Sequence, residues 1–486
     1  MQSKDKPYKD QYLCCMIIKN VVIKRAGAKG ISIGHSPEGK TLLVRGAAPG
    51  DIADVRIIKK RKKHLECIAE NIIQPGPDRR DPLCKHSEIC GGCNWQHVYY
   101  SAQLKFKSQE VKDNLERIGK LENGEFLPII SAPNEYRYRN KLEFSFSSNR
   151  WLSLEEVNSE KKIESRNALG YHVPGMWDKI IDIDECHLQQ EPSNSIRLFV
   201  KNYALNNGLT FFHPRDKKGL LRTMMLRSTS ENKWMFVLQF FEDPENEGLK
   251  LLEAVKLNFP QIVSIYYAHN TKGNDSIYDL DLILFHGKSS LIEKMPSVTS
   301  KGRTLSFKVG PKSFYQTNSA QAYVLYCEVL KMAKIKSKDI VYDLYTGTGT
   351  IALFMAQIAK KVIGIESIQE AIDAAKQNAL DNNIVNTEFI VGDMREVFNE
   401  ELWNKHGKPD VLITDPPRDG MHPKVIQKLL DLKIPKIVYV SCNTATQARD
   451  LDLMRGEYQV ESVQPVDMFP QTHHIENILL LKLKSN

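Results

Sequence analysis

The chain reads as a multidomain α/β protein: a small N-terminal β-barrel, a central α+β region, and a C-terminal open sheet whose parallel strands alternate with helices. Three observations predict it. At 486 residues the chain is longer than one hydrophobic core usually serves. Apolar and polar residues alternate between Ile17 and Ile73 with frequent glycines, as in small antiparallel barrels. From Phe307 onward the pattern becomes strand, loop, helix, repeated. The expected divisions are a polar tail over 1–15, the barrel over 16–74, a central domain over 75–310 and the C-terminal domain over 311–486.

The barrel is punctuated by Gly27, Gly30, Gly34, Gly39, Gly46 and Gly50 and interrupted by Lys59-Lys60-Arg61-Lys62-Lys63-His64. Five adjacent cations repel one another, so the run is most useful facing phosphates; a solvated hairpin tip is the alternative. A net charge of +8 fits a polyanionic partner without requiring one. No stretch approaches the roughly 18 apolar residues of a membrane helix, and Tyr12 to Ile18 is a poor signal-peptide core. The expectation is a soluble, cytoplasmic protein.

Pro75-Gly76-Pro77-Asp78 breaks the periodicity and reads as a linker. Cys84-x5-Cys90-Gly91-Gly92-Cys93 follows, with Cys186 available from a distance. Nine cysteines without an export signal argue for thiols kept for metal or catalysis, not for a disulfide framework. Thiolates are soft ligands, so tetrahedral zinc and an iron-sulfur cluster both remain open, as do three unligated buried cysteines. Further on, Tyr136-Arg137-Tyr138-Arg139-Asn140-Lys141 interleaves aromatics with cations, which suits single-stranded RNA and equally an exposed strand with one polar face.

In the C-terminal domain, Ile340 to Leu344 is a buried strand. Tyr345-Thr346-Gly347-Thr348-Gly349-Thr350 is a tight turn, and Ile351 to Ala359 reads as a helix. A second strand, Val362 to Ile365, ends in Glu366, placed to reach ribose hydroxyls while the glycines admit a ligand to the backbone. Two more strands end near Asp393 and at Asp415. Carboxylates at successive strand ends, Asp343 included, repel a pyrophosphate, and no Walker lysine is present. The crevice fits a cationic or neutral nucleoside such as S-adenosylmethionine. The strand Ile437 to Val440 carries Cys442 to the same sheet edge, and Glu476 lies before a terminal apolar strand.

Phe314-Tyr315-Gln316-Thr317-Asn318, Asp343-Leu344-Tyr345-x-Gly347-x-Gly349, Asp415-Pro416-Pro417-Arg418-x-Gly420, Ser441-Cys442-Asn443 and Phe469-Pro470-x-Thr472-x-His474-x-Glu476 together resemble the RNA 5-methyluridine methyltransferase family over nearly the whole chain. The resemblance implies a Rossmann-like S-adenosylmethionine-dependent domain behind a TRAM-type, OB-like barrel. It implies that Gln316, Tyr345, Glu366, Asp393 and Asp415 line the cofactor site, that Cys442 is the nucleophile and that Glu476 is the base. It further implies that Cys84, Cys90, Cys93 and Cys186 hold a 4Fe-4S cluster, as in the ribosomal RNA branch, making large-subunit ribosomal RNA the expected partner of a monomeric enzyme. Two departures stand out: Thr444 replaces the family's usual proline, and Gln471 its usual histidine.

The chemistry explains the residue types. Uracil C5 is a poor nucleophile until a thiolate adds to C6, and the C5 proton must then leave to a carboxylate before the thiol departs. A stacked uracil cannot meet both reagents, so it is flipped out at a few kcal/mol. His474 could orient Glu476 or the substrate, or be structural. Competing readings are a transfer RNA uracil methyltransferase, an exocyclic-amine methyltransferase using Asp415-Pro416-Pro417, which has no use for Cys442, and a non-catalytic RNA-binding protein.

Overall fold

The computed structural model describes residues 16–159, 163, 165–243 and 246–485; the expected polar tail over 1–15 lies outside them. The chain forms two compact units, Met1–Glu110 with Phe469–His474, and Val111–Met468 with Ile475–Asn486. Among the described residues no helix is long and apolar enough to cross a membrane.

In the first unit, strands Ile17–Ala26, Ser32–His35, Thr41–Arg45, Ile52–Lys60 and His64–Gln74 close into a barrel. Alternation sends Val21, Ile23, Leu42, Val44, Val55, Ile57 and Leu65 inward. The basic run forms the exposed turn between the last two strands, with Arg61 Nε donating to Glu66 Oε1 (2.7 Å). The Pro75–Asp78 break is anchored on the barrel: Gly76 N donates to Asp51 Oδ1 (2.8 Å), and Arg79 pairs with the same fully buried carboxylate (2.8 Å). Phe469–His474 is built into this unit. Gln471, at φ +67° and fully buried, donates its N–H to Gln103 Oε1 (2.9 Å), and its Oε1 accepts from Gln103 Nε2 (3.0 Å) and Arg80 Nη2 (3.1 Å).

The second unit opens on a seven-stranded mixed sheet, in spatial order Ile283–Gly287, Ile262–His269, Trp234–Phe240, Leu221–Ser228, Lys141–Ser147, Ala168–His172 and Ile180–Asp182. A hairpin, Leu291–Pro296 with Thr304–Val309, follows. Then come β1 (Ile340–Leu344), β2 (Lys361–Glu366), β3 (Thr387–Val391), β4 (Val411–Thr414), β5 (Lys436–Ser441), β6 (Tyr458–Val466) and β7 (Glu476–Leu483). Their order is β3-β2-β1-β4-β5-β7-β6, with Glu125–Phe126 beside β6. β1 to β5 are parallel, and β7 runs antiparallel between β5 and β6. Continuous apolar runs such as Val362, Ile363 and Ile365 or Val411, Leu412 and Ile413 are buried, as sheets covered on both faces require. The helix expected at 351–359 occupies Thr350–Ala356. The order reverses at β1, between β2 and β4, which opens a crevice at the strand carboxyl ends.

Candidate active site

The crevice is made by the turn after β1. Tyr345, Gly347 and Gly349 have φ of +62°, +54° and +80°. At Gly349 a side chain is excluded, since an added Cβ would lie 2.9 Å from Ala375 Cβ and 3.0 Å from the Phe389 ring. At Gly347 an added Cβ would meet nothing within 4 Å, so the backbone borders open space there. Beneath the turn Asp343 is fully buried; burial pushes its carboxyl up to about 7, against a hydrogen bond from Thr346 Oγ1 (2.5 Å).

Glu366 ends β2 and is half-buried; Oε2 accepts from Gly347 N (3.3 Å) and Oε1 from Ser367 N (2.7 Å), which ties the acid to the glycine turn. Asp393 follows β3 and accepts from Arg395 N (2.8 Å) and Nε (2.9 Å). The Arg395 side chain holds that carboxyl down at about 2. Gln316 is half-buried, its carbonyl accepting from Asn140 Nδ2 (2.9 Å). Tyr345 is half-buried, and burial raises its phenol to about 12.

Asp415, Cys442 and Glu476 gather at the neighbouring strand ends. Asp415 follows β4 and Cys442 follows β5; Glu476 opens β7. The antiparallel register pairs Val440 with Ile478 and Ser441 with Asn477, and Cys442 and Glu476 are the next residues beyond that last pair. Burial pushes the Cys442 thiol up to about 11, and Glu476 and then Asp415 add to the rise. Glu476, 5 % exposed, is held well above the carboxylate range by burial and then by Asp415. Burial raises Asp415 to about 7.

Arg418 opposes these shifts: its charge lowers both Cys442 and Glu476. Its carbonyl accepts from Asn443 Nδ2 (2.9 Å) and Thr446 Oγ1 (3.1 Å), docking the Asp-Pro-Pro-Arg loop on the cysteine loop. Asn443 caps the helix Thr444–Met454 through Ala445 N, so Cys442 sits just outside a positive helix end. Thr444, which departs from the family's proline, stands at the first helical position, where proline also fits; its Oγ1 accepts from Asn114 Nδ2 (2.7 Å). Sequence reasoning gave Arg418 no role, although it lies inside the quoted Asp-Pro-Pro-Arg motif.

Cys84 and Cys93 are buried and Cys90 half-buried in the first unit, with Cys84 N donating to Gln96 Oε1 (3.0 Å). Cys186 is buried in the second unit. Its N–H donates to Asn194 Oδ1 (2.8 Å), and its carbonyl accepts from Asn194 Nδ2 (3.2 Å). Among the described residues no group of three or more His, Cys, Asp or Glu side chains is arranged to hold a metal ion. The His474 ring packs against His473 (4.2 Å between centroids) and Phe469 (6.4 Å).

Comparison with known proteins places this geometry in context. Residues 287–484 match the tRNA (uracil-5-)-methyltransferase family model, and residues 18–68 match the TRAM domain. An uncharacterized RNA methyltransferase of Bacteroides thetaiotaomicron is 47% identical over 446 residues, covering 91% of this chain and 97% of its own length. One from Porphyromonas gingivalis is 47% identical over 447 residues, covering 90% and 95%. Among solved structures, the Pyrococcus abyssi tRNA (uracil-54, C5)-methyltransferase in complex with S-adenosyl-L-homocysteine is similar at TM-score 0.71 and 26% identity, over 95% of this chain and 99% of that one.

Proposed function

Since this chain belongs to the RNA uracil-5-methyltransferase family, we propose that it methylates uracil C5 in RNA through a transient bond between Cys442 and uracil C6. The observation that supports this reading is the β5–β7 register, whose last pair, Ser441 with Asn477, stands one residue short of Cys442 and Glu476. S-adenosylmethionine supplies the methyl group on a sulfonium. Cys442 adds as thiolate to C6, which turns C5 into the nucleophile that takes the methyl. Glu476 then removes the C5 proton, the C6–S bond breaks, and the thiolate returns. Burial pushes the Cys442 thiol and the Glu476 carboxyl up, the Arg418 charge lowers both, and a bound cation would add to that lowering.

Gln316, Tyr345, Glu366, Asp393 and Asp415 are the proposed cofactor contacts. For Asp393 this requires release from Arg395 or sharing with it. The basic barrel turn holds RNA phosphates and offsets the cost of flipping the base. Cys84, Cys90, Cys93 and Cys186 are the proposed ligands of an iron-sulfur cluster. Four thiols suit a soft metal group, and Gln96 and Asn194 order the backbone at two of them. No step of methyl transfer uses it; iron and sulfide analysis after anaerobic purification tests it. The cysteine set favours large-subunit ribosomal RNA, whereas the Pyrococcus abyssi neighbour favours transfer RNA. Mapping methylated uridines in a strain lacking the gene decides between them. A cytoplasmic monomer is the accompanying reading.

The mechanism is tested by tritium release from RNA labelled at uridine C5. Cys442→Ala abolishes it. Glu476→Ala leaves a covalent protein–RNA adduct, because addition and methyl transfer precede proton removal; no adduct means Glu476 is not the base.

A further inference from the structure

The segment from Ser313 to Asn318 has no regular structure, and it carries Gln316, the proposed cofactor contact. Buried carbonyls in such a segment need partners from elsewhere. Most come from the central sheet. Asn140, 8 % exposed, donates Nδ2 to Gln316 O (2.9 Å) and to Ser319 Oγ (2.8 Å), and its own N–H donates to Thr317 O (2.8 Å). Its carbonyl accepts from Ser228 N (2.8 Å), which ties this clamp to the strand Leu221–Ser228. Ser319 Oγ donates onward to Glu293 Oε2 (3.1 Å), and Glu293, 1 % exposed, accepts from Ser230 N (3.2 Å). Arg227 Nη2 donates to Ser313 O (3.0 Å) at the start of the segment.

Asn140 belongs to the Tyr136–Lys141 run whose composition suits RNA. It is the buried residue of that run, and Arg137 is exposed. Arg137 Nη2 pairs with Glu185 Oε1 (2.7 Å), its N–H donates to His187 O (2.8 Å), and the Tyr136 ring packs edge-on against His187 (6.3 Å). Asn140 is spent on the segment that carries Gln316.

We infer that Asn140 is a positioning residue that sets S-adenosylmethionine affinity by holding the backbone of Gln316 to Ser319, with Glu293 bracing the far end. This rests on the reading of Gln316 as a cofactor contact. Truncating Asn140 leaves the Gln316 carbonyl without its donor and frees the loop. A net loss of one to two hydrogen bonds weakens binding about tenfold.

The test is calorimetric titration of the full chain with S-adenosylhomocysteine, beside filter binding of RNA. Asn140→Ala is expected to weaken S-adenosylhomocysteine about tenfold and to leave RNA affinity within about twofold. In a Gln316→Ala background the same substitution should cost less than about twofold, because the group it positions is gone. Unchanged cofactor affinity in Asn140→Ala, or an undiminished effect in the Gln316→Ala background, overturns the inference. A fall in RNA affinity alone overturns it too and makes the run an RNA surface. If Gln316→Ala itself leaves cofactor affinity unchanged, the reading of Gln316 fails first and separately. Should Asn140→Ala lose its fold by thermal melting, Ser319→Ala takes its place in the same cycle, with about threefold expected.

Discussion

Cys442 should be slow to alkylate in the empty protein and fast when a cation occupies the crevice. Held at about 11 by burial and two carboxyl groups, about one thiol in a thousand is ionised at pH 8, against about one in four for an unperturbed cysteine. The sign is that of a raised acid: thiolate is lost as pH falls below the folded value, so labelling climbs about tenfold per unit from pH 7 to 10. A unit positive charge about 6 Å from a thiolate, at an effective dielectric near 20, would contribute about 3 kcal/mol, or about two pK units. S-adenosylmethionine differs from S-adenosylhomocysteine by that methyl and its charge. At equal saturation, iodoacetamide should therefore modify Cys442 up to about a hundredfold faster with the former, followed on the Cys442 peptide by mass spectrometry without RNA. A midpoint near 8.5 in the empty protein, or equal rates with the two ligands, would refute the electrostatic argument.

Arg418→Ala, by removing a positive charge that lowers the Cys442 thiol, should slow that alkylation about tenfold at fixed pH, with Arg418→Lys in between. Replacing the exposed Lys59, Lys62 and Lys63 by glutamine should reduce the slope of log affinity against log salt for RNA by about two, and an unchanged slope would remove the barrel turn from the RNA interface. Asp51→Ala should destabilise the first unit by roughly 3 kcal/mol in urea unfolding, since the fully buried carboxylate accepts from Ala48 N (2.6 Å), Gly76 N (2.8 Å) and Arg79.

Much of the C-terminal sheet was legible because its signals are local. Runs such as Val411 to Thr414, each followed by an acid or a glycine turn, announce a parallel strand and its ligand-facing end within a few residues. The barrel was legible for the same reason, from alternation and glycine spacing. Arg418 was not. Its carbonyl, accepting from Asn443 and Thr446, joins two strand-end loops, and nothing in either loop's composition announces the other. Asn140 misled because aromatic and basic alternation describes an RNA surface and an inward-facing clamp equally well; its partner Gln316 lies 176 residues away. Gln471, a departure in sequence, became intelligible once its side chain was seen between Arg80 and Gln103.

By itself the amino-acid order determined the kinds of group available, the strand ends that carry them and the family they belong to, because strand period, glycine turns and acid placement are written within short windows. The folded chain alone decided that β7 inserts antiparallel between β5 and β6, pairing Ser441 with Asn477 one residue short of Cys442 and Glu476, and that the Arg418 charge acts on both the thiol and the acid. Cross-strand register and the mutual fields of buried groups depend on distances through space, which no local window of residues encodes.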